Sequence, residues 1–177
     1  MLAAASDKSK LLQNIEQSDR IAIKGKNGSG KSTLLKLLCG ENIKYCGTLE
    51  KGSNLKISYV SQDTSYLRGS LSDYAEKWDI DESLFKTILR KMGFERSQLE
   101  KNMEDFSGGQ KKKVLIARSL CEKAHLYVWD EPLNFIDVLS RMQIEELLLE
   151  YEPTMIFVEH DVAFQHKIAT SEIKVEL

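Results

Sequence analysis

An α/β domain built on a mostly parallel sheet is what this chain of 177 residues predicts. Three observations carry that prediction. Residues 20–24 read as a short strand, with Ile21 and Ile23 apolar, that runs into a glycine-rich loop and then a helix. Residues 126–129 form a continuous apolar run, as a parallel strand buried on both faces requires. Beyond it, helix and strand alternate to the end. The domain is expected to span 1–177, with a short helical insertion at about 64–107.

Each element has a local reason. The helix at 31–39 places Leu34, Leu35, Leu37 and Leu38 around most of its circumference, which predicts burial on all sides, and Gly40 ends it. Two strands, 48–50 and 56–60, flank the turn Lys51-Gly52-Ser53-Asn54. Ser70-Leu71-Ser72-Asp73 has the form of a capping box and opens a helix; a second helix at 83–92 closes on Gly93. With 97–103 these make up the insertion. The helix at 108–120 carries Val114, Leu115, Ala117 and Ala124 on its apolar side. Lys111, Lys112 and Lys113 read as its solvated face, contact with RNA phosphates being the weaker reading. An amphipathic helix at 138–149, a buried strand at 154–158 and an edge strand at 172–175 complete the order. There is no internal repeat and no interdomain linker.

Composition narrows the function classes. A net charge of -2 argues against binding nucleic acid through bulk electrostatics. Cys39, Cys46 and Cys121 lack metal-ligand spacing and read as reduced thiols of a cytoplasmic protein. No run of about eighteen apolar residues occurs, so direct membrane insertion is not expected. The Met1-Leu2-Ala3-Ala4-Ala5 start lacks the basic region of a secretory signal.

Five places along the chain carry chemistry. Gly25-Lys26-Asn27-Gly28-Ser29-Gly30-Lys31-Ser32 fits G-x-x-x-x-G-K-[ST] between strand and helix. Its glycines let successive N–H groups face phosphates, Lys31 would neutralise the β and γ oxygens, and the Ser32 hydroxyl would hold Mg²⁺. Asp130 ends an apolar strand at the sheet's carboxyl edge, where ligands of such sheets bind, and suits a Mg²⁺ carboxylate. Glu131, one position on, can act as the base for an attacking water. Gln62, after the strand at 56–60, could touch both Mg²⁺ and that water, or be an ordinary polar loop residue. His160 follows another strand end, where a γ-phosphate would lie; His125 and His166 have no such placement. Ser107-Gly108-Gly109-Gln110 opens a helix and can present N–H groups and a hydroxyl to an anion. The insertion carries it away from its own glycine loop, so a partner domain's nucleotide is the economical ligand.

From about Arg20 onward the chain resembles the nucleotide-binding domain of ATP-binding cassette (ABC) proteins, a P-loop NTPase fold. Lys26, Asn27, Gly28, Ser29, Gly30, Lys31, Ser32 and Thr33 look like Walker A, and Gln62 like the Q-loop glutamine. Ser107, Gly108, Gly109 and Gln110 look like the signature. Asp130 resembles the Walker B aspartate, Glu131 the catalytic glutamate, Asn134 to Asp137 the D-loop and His160 the switch histidine. The stretch Asp130-Glu131-Pro132-Leu133-Asn134-Phe135-Ile136-Asp137, and the 45 positions from Gln62 to Ser107, are similar to ABC-F cassettes. Leu133, Phe135 and Ile136, with Tyr59-Val60-Ser61-Gln62-Asp63 and Val158-Glu159-His160-Asp161, look most like the second cassette of antibiotic-resistance ABC-F proteins.

The resemblance implies ATP and Mg²⁺ as ligands and hydrolysis only when paired with a second cassette, in the same longer chain or by self-association. It also implies a ribosome partner. The rival readings are the ATPase subunit of a membrane transporter and a nucleotide-binding module with negligible turnover. Two of the family's features are not found. No Tyr, Phe or Trp precedes Tyr45 to stack on adenine, a contact worth about 1–3 kcal/mol. The first strands of the fold are expected to be missing or rearranged with it, and the linker that reaches into the ribosome in resistance proteins is absent, as expected of an isolated or truncated second half. Weak affinity and poor selection of ATP over GTP follow.

Overall fold

A computed structural model describes the backbone of residues 3–6, 9–12 and 15–175, with side chains from Ile15 onward. The Cα trace divides into two compact units. The first comprises 1–59, 124–131 and 151–177, and the second 60–123 and 132–150.

The first unit holds a five-stranded sheet. β3 (Arg20–Lys24) lies between β7 (Met155–Val158) and β8 (Ser171–Lys174), and β6 (Leu126–Asp130) lies beyond β7, with β5 (Ile57–Val60) at its far edge. β3 runs parallel to β7 and β8, and β6 parallel to β7, with Asp130 opposite Val158. The carboxyl ends of β3, β7 and β6 therefore lie side by side at one edge. β7 is buried throughout, which explains its unbroken apolar sequence. A core of Ile21, Ile23, Val128, Ile156 and Val158 from the strands meets Leu35 and Leu38 of α1 (Lys31–Leu38). α1 buries one face only, leaving Leu34 and Leu37 half-buried, so the all-round burial expected for it does not occur.

Three elements went unassigned from sequence, two of them strands that precede β3, where the first strands were expected to be missing or rearranged. β1 (Ala3–Ser6) and β2 (Ser9–Leu12) form an antiparallel hairpin, and β1 also pairs with β4 (Leu49–Glu50) in a separate three-stranded sheet. α7 (Val162–Ile168) follows β7, and Asp161 caps it by accepting the Phe164 N–H at 2.8 Å. His125 is structural: its Nδ1 accepts the Lys56 N–H at 3.0 Å.

The second unit is helical. α2 (Leu71–Lys77) begins at Ser70, whose Oγ accepts the Asp73 N–H at 3.1 Å, and α3 (Glu82–Lys91) at Asp81. α4 (Arg96–Leu99), α5 (Gly108–Cys121) and α6 (Val138–Tyr151) follow. Because α5 stops at Cys121, Ala124 lies outside it. The solvated lysine face expected on α5 is absent. Lys112 is 2% exposed and Lys113 9%. Lys112 Nζ donates to the Ser61 carbonyl at 2.8 Å, and Lys113 Nζ to the Met92 carbonyl at 2.8 Å and Asp137 Oδ2 at 2.6 Å. Their long apolar stems lie in the core while each ammonium reaches an acceptor. α6 departs from simple amphipathy as well, because Val138, Leu139, Met142 and Leu149 are exposed.

Candidate nucleotide site

The glycine loop takes its shape from positions that only glycine holds without strain. Gly28 and Gly30 both sit at φ 82°. At Gly25 a side chain is excluded because a Cβ would lie 2.5 Å from the Val175 carbonyl oxygen and 2.6 Å from Ser29 Oγ. Lys31 is buried, and its Nζ donates to the carbonyls of Gly25 at 2.9 Å and Lys26 at 3.0 Å. The ammonium thus closes the loop from inside, where phosphate oxygens can take over from the carbonyls. Ser29 Oγ is buried with no hydrogen-bond partner among the described residues. An orphaned hydroxyl in a cradle of amides is what an anion would satisfy. Lys26, Asn27, Gly28 and Thr33 are exposed around it.

Ser32 stands in the first turn of α1 and donates from Oγ to Asp130 Oδ1 at 3.1 Å, across 98 residues of sequence. Asp130 is buried at the end of β6. A hydroxyl and a carboxylate brought together at a sheet edge form a hard oxygen donor set of the type Mg²⁺ takes alongside phosphate oxygens. These residues fit both triphosphate and metal. One residue further, Glu131 leaves the strand with φ 48°, a left-handed conformation that costs a non-glycine residue about 1–3 kcal/mol. The Glu131 N–H still pairs with the Val158 carbonyl at 2.9 Å. The reversed backbone sets Glu131 Oε1 3.3 Å from His160 Nε2.

In the first unit the fold therefore gathers Lys31, Ser32, Asp130, Glu131 and His160 at neighbouring strand ends. Gln62 and Ser107 to Gln110 belong to the second unit. Gln62 is exposed, two residues beyond β5. At the start of α5, Ser107 Oγ accepts the Gln110 N–H at 3.2 Å while Gln110 Oε1 accepts the Ser107 N–H at 2.9 Å, a reciprocal capping box. As an acceptor in that bond, the Ser107 hydroxyl keeps its proton to donate. The amides of Gly108 and Gly109 head a helix of 14 residues whose dipole favours an anion there.

Sequence reading missed two polar residues beside His160. Glu159 and Gln165 are both buried, and they hold the turn that carries the histidine. The available signal was an acidic residue directly after four apolar strand residues. Among the described residues no group of three or more His, Cys, Asp or Glu is arranged to hold a metal by itself, and no helix is long and apolar enough to cross a membrane.

The family described as ABC transporter matches residues 9–134. The chain is 34% identical over 175 residues to the ATP-binding protein Uup of Caulobacter vibrioides, covering 92% of this chain and 28% of that protein. It is 33% identical over 171 residues to ABC transporter F family member 5 of Arabidopsis thaliana, covering 92% and 24%. The chain thus spans less than a third of the length of these relatives. Among solved structures, the archaeal ribosome recycling factor aABCE1, crystallised with the archaeal ribosomal stalk protein aP1, superposes with a TM-score of 0.77. It is 26% identical, over 98% of this chain and 35% of that one. The chain belongs to the ABC transporter family, as an ATP-binding cassette of the ABC-F type.

Proposed function

We propose that this cassette binds ATP on residues 25–33 and hydrolyses it at an interface with a second cassette, within an ABC-F protein that works on the ribosome. One observation carries the reading. Ser32 with Asp130, and Glu131 with His160, form two adjacent polar pairs at the carboxyl edge of one sheet, 3.1 Å and 3.3 Å across. The first pair suits the metal side of a triphosphate and the second the water side.

Lys31 exchanges its loop carbonyls for phosphate oxygens, and the Ser29 hydroxyl gains a partner. Ser32 and Asp130 would hold Mg²⁺, whose charge offsets that of the β and γ oxygens. Glu131 accepts a proton from the attacking water. The water oxygen bonds to the γ phosphorus as the bond to the β–γ bridging oxygen breaks, giving ADP and phosphate. His160 holds the Glu131 carboxylate in place through Nε2. Ser107 to Gln110 serve the partner's nucleotide, since their donors head an exposed helix end. Ribosome association is supported by the name of the structural neighbour, a ribosome recycling factor bound to a stalk protein. A role in resistance is supported by Leu133, Phe135 and Ile136 in the segment after Glu131.

Steady-state hydrolysis tests the core of this reading. The chain alone at low concentration should turn over near background, with a rate per chain that rises with concentration. Glu131→Gln should abolish turnover and accumulate an ATP-bound pair. Fast, concentration-independent turnover by a monomer would overturn the two-cassette site. For the full-length protein, the Glu131→Gln form with ATP should co-sediment with ribosomes. Fractionation with membranes instead would favour a transporter subunit.

A further inference from the structure

The His160 side chain is 52% exposed, and its approach to Glu131 is one contact at the ring's outer nitrogen. A ring held so lightly takes its position from its backbone. Buried polar side chains hold that backbone. Glu159 is 6% exposed, and its Oε1 accepts the N–H of His160 at 2.7 Å and of Asp161 at 3.4 Å. Gln165, 5% exposed on α7, donates from Nε2 to the Glu159 carbonyl, and Asp161 caps the same helix. Burying a carboxylate is costly unless donors meet it, and Glu159 meets donors in the turn that bears the histidine.

We propose that Glu159, braced by Gln165, is a positioning residue that fixes the turn after β7 so that His160 Nε2 meets Glu131 Oε1. The proposal rests on Glu131 and His160 acting as a pair, and adds what orients that pair. A glutamine at 159 offers an amide oxygen to the same two N–H groups, whereas alanine offers nothing. Position and charge are thereby separable.

The test uses the 177-residue chain, labelled with ¹⁵N. The His160 ring signals, assigned with His160→Ala, are recorded with and without Glu131→Gln. With Glu159 intact, Glu131→Gln should move those signals. In Glu159→Ala the response should shrink by about threefold or more, while Glu159→Gln keeps most of it, as coupling through geometry requires. Affinity for a non-hydrolysable ATP analogue, measured by calorimetry, should change less than about twofold, since the glycine loop is untouched. Gln165→Leu, which leaves the carboxylate and removes the brace, should show the same loss and serves if Glu159→Ala does not fold. A full response in a folded Glu159→Ala or Gln165→Leu chain overturns the proposal, as does equal loss in Glu159→Gln and Glu159→Ala. If Glu131→Gln leaves His160 unmoved with Glu159 intact, the pairing itself is absent. Hydrolysis by His160→Ala then shows separately whether the catalytic reading fails with it.

Discussion

Gly108 and Gly109 are neighbours in the first turn of α5, yet their surroundings predict opposite responses to alanine. A methyl group at Gly108 would lie 3.7 Å from Cδ2 of the Phe135 ring, an ordinary contact. At Gly109 it would be driven into the Phe135 carbonyl oxygen, with the carbonyl carbon 3.3 Å away. That obstacle is backbone, and Phe135 already sits at φ 66°, so the loop has little freedom to retreat. Replacing glycine by alanine in a helix recovers up to about 1 kcal/mol, a gain common to both variants. Overpacking costs about 1–3 kcal/mol and applies to one of them. Gly109→Ala should therefore be less stable than Gly108→Ala by about 1–3 kcal/mol. For a chain of this size that corresponds to a Tm gap of about 2–12 °C. Thermal and urea unfolding followed by circular dichroism, with m-values compared, measures it. A Gly109→Ala chain as stable as Gly108→Ala would refute the close approach of α5 to Phe135.

Four further outcomes are expected. Burial pushes the Cys39 and Cys121 thiols up to about 12, while Cys46 is exposed, so a thiol reagent near pH 8 should modify Cys46 first, checked by mass spectrometry. Between the ordinary thiol value of 9.0 and about 12, the unfolded chain loses a proton that folded Cys39 keeps, so stability should fall as pH rises through that window. Cys39→Ala should remove this share of the fall. Lys113, by its hydrogen bond, holds the Asp137 carboxyl well below the usual carboxylate range, helped by Ser140. The advantage of wild type over Asp137→Asn in urea unfolding should thus be full above about pH 4 and shrink as pH falls below it. In calorimetry the chain should bind ATP weakly and prefer it little over GTP. Sub-micromolar, strongly ATP-selective binding would show that an unrecognised group takes the adenine.

Local signals in the sequence located most of the elements. Ser70 and Ser107 each accept an N–H from their own first helical turn, and such contacts depend on spacing that a sequence displays. The apolar run at 126–129 reported the burial of β6 (Leu126–Asp130) for the same reason. α7 was missed although Asp161 stands at its start, because a helix of 7 residues shows too little periodicity. The burial pattern of α1 and α6 was misjudged because it depends on which neighbours cover each face. The candidate site was legible as separate motifs. That Ser32 reaches Asp130 follows from the parallel order of β3, β7 and β6, which brings residues 98 positions apart to one edge.

By itself, then, the sequence determined the glycine loop, most of the helix starts and the residue types able to bind phosphate, hold a metal or activate water, since these rest on local conformation and chemical identity. The tertiary structure alone decided the fate of the lysines after Gln110 and of Glu159. Lys112 finds its acceptor 51 residues away and Lys113 finds Asp137 24 residues away, so a run of cations that reads as solvent-facing became buried brackets. Glu159 could have faced water; the packing of α7 turned it inward onto the His160 amide. A charged side chain carries its charge in the sequence, but its partner, and hence its role, is set by long-range packing.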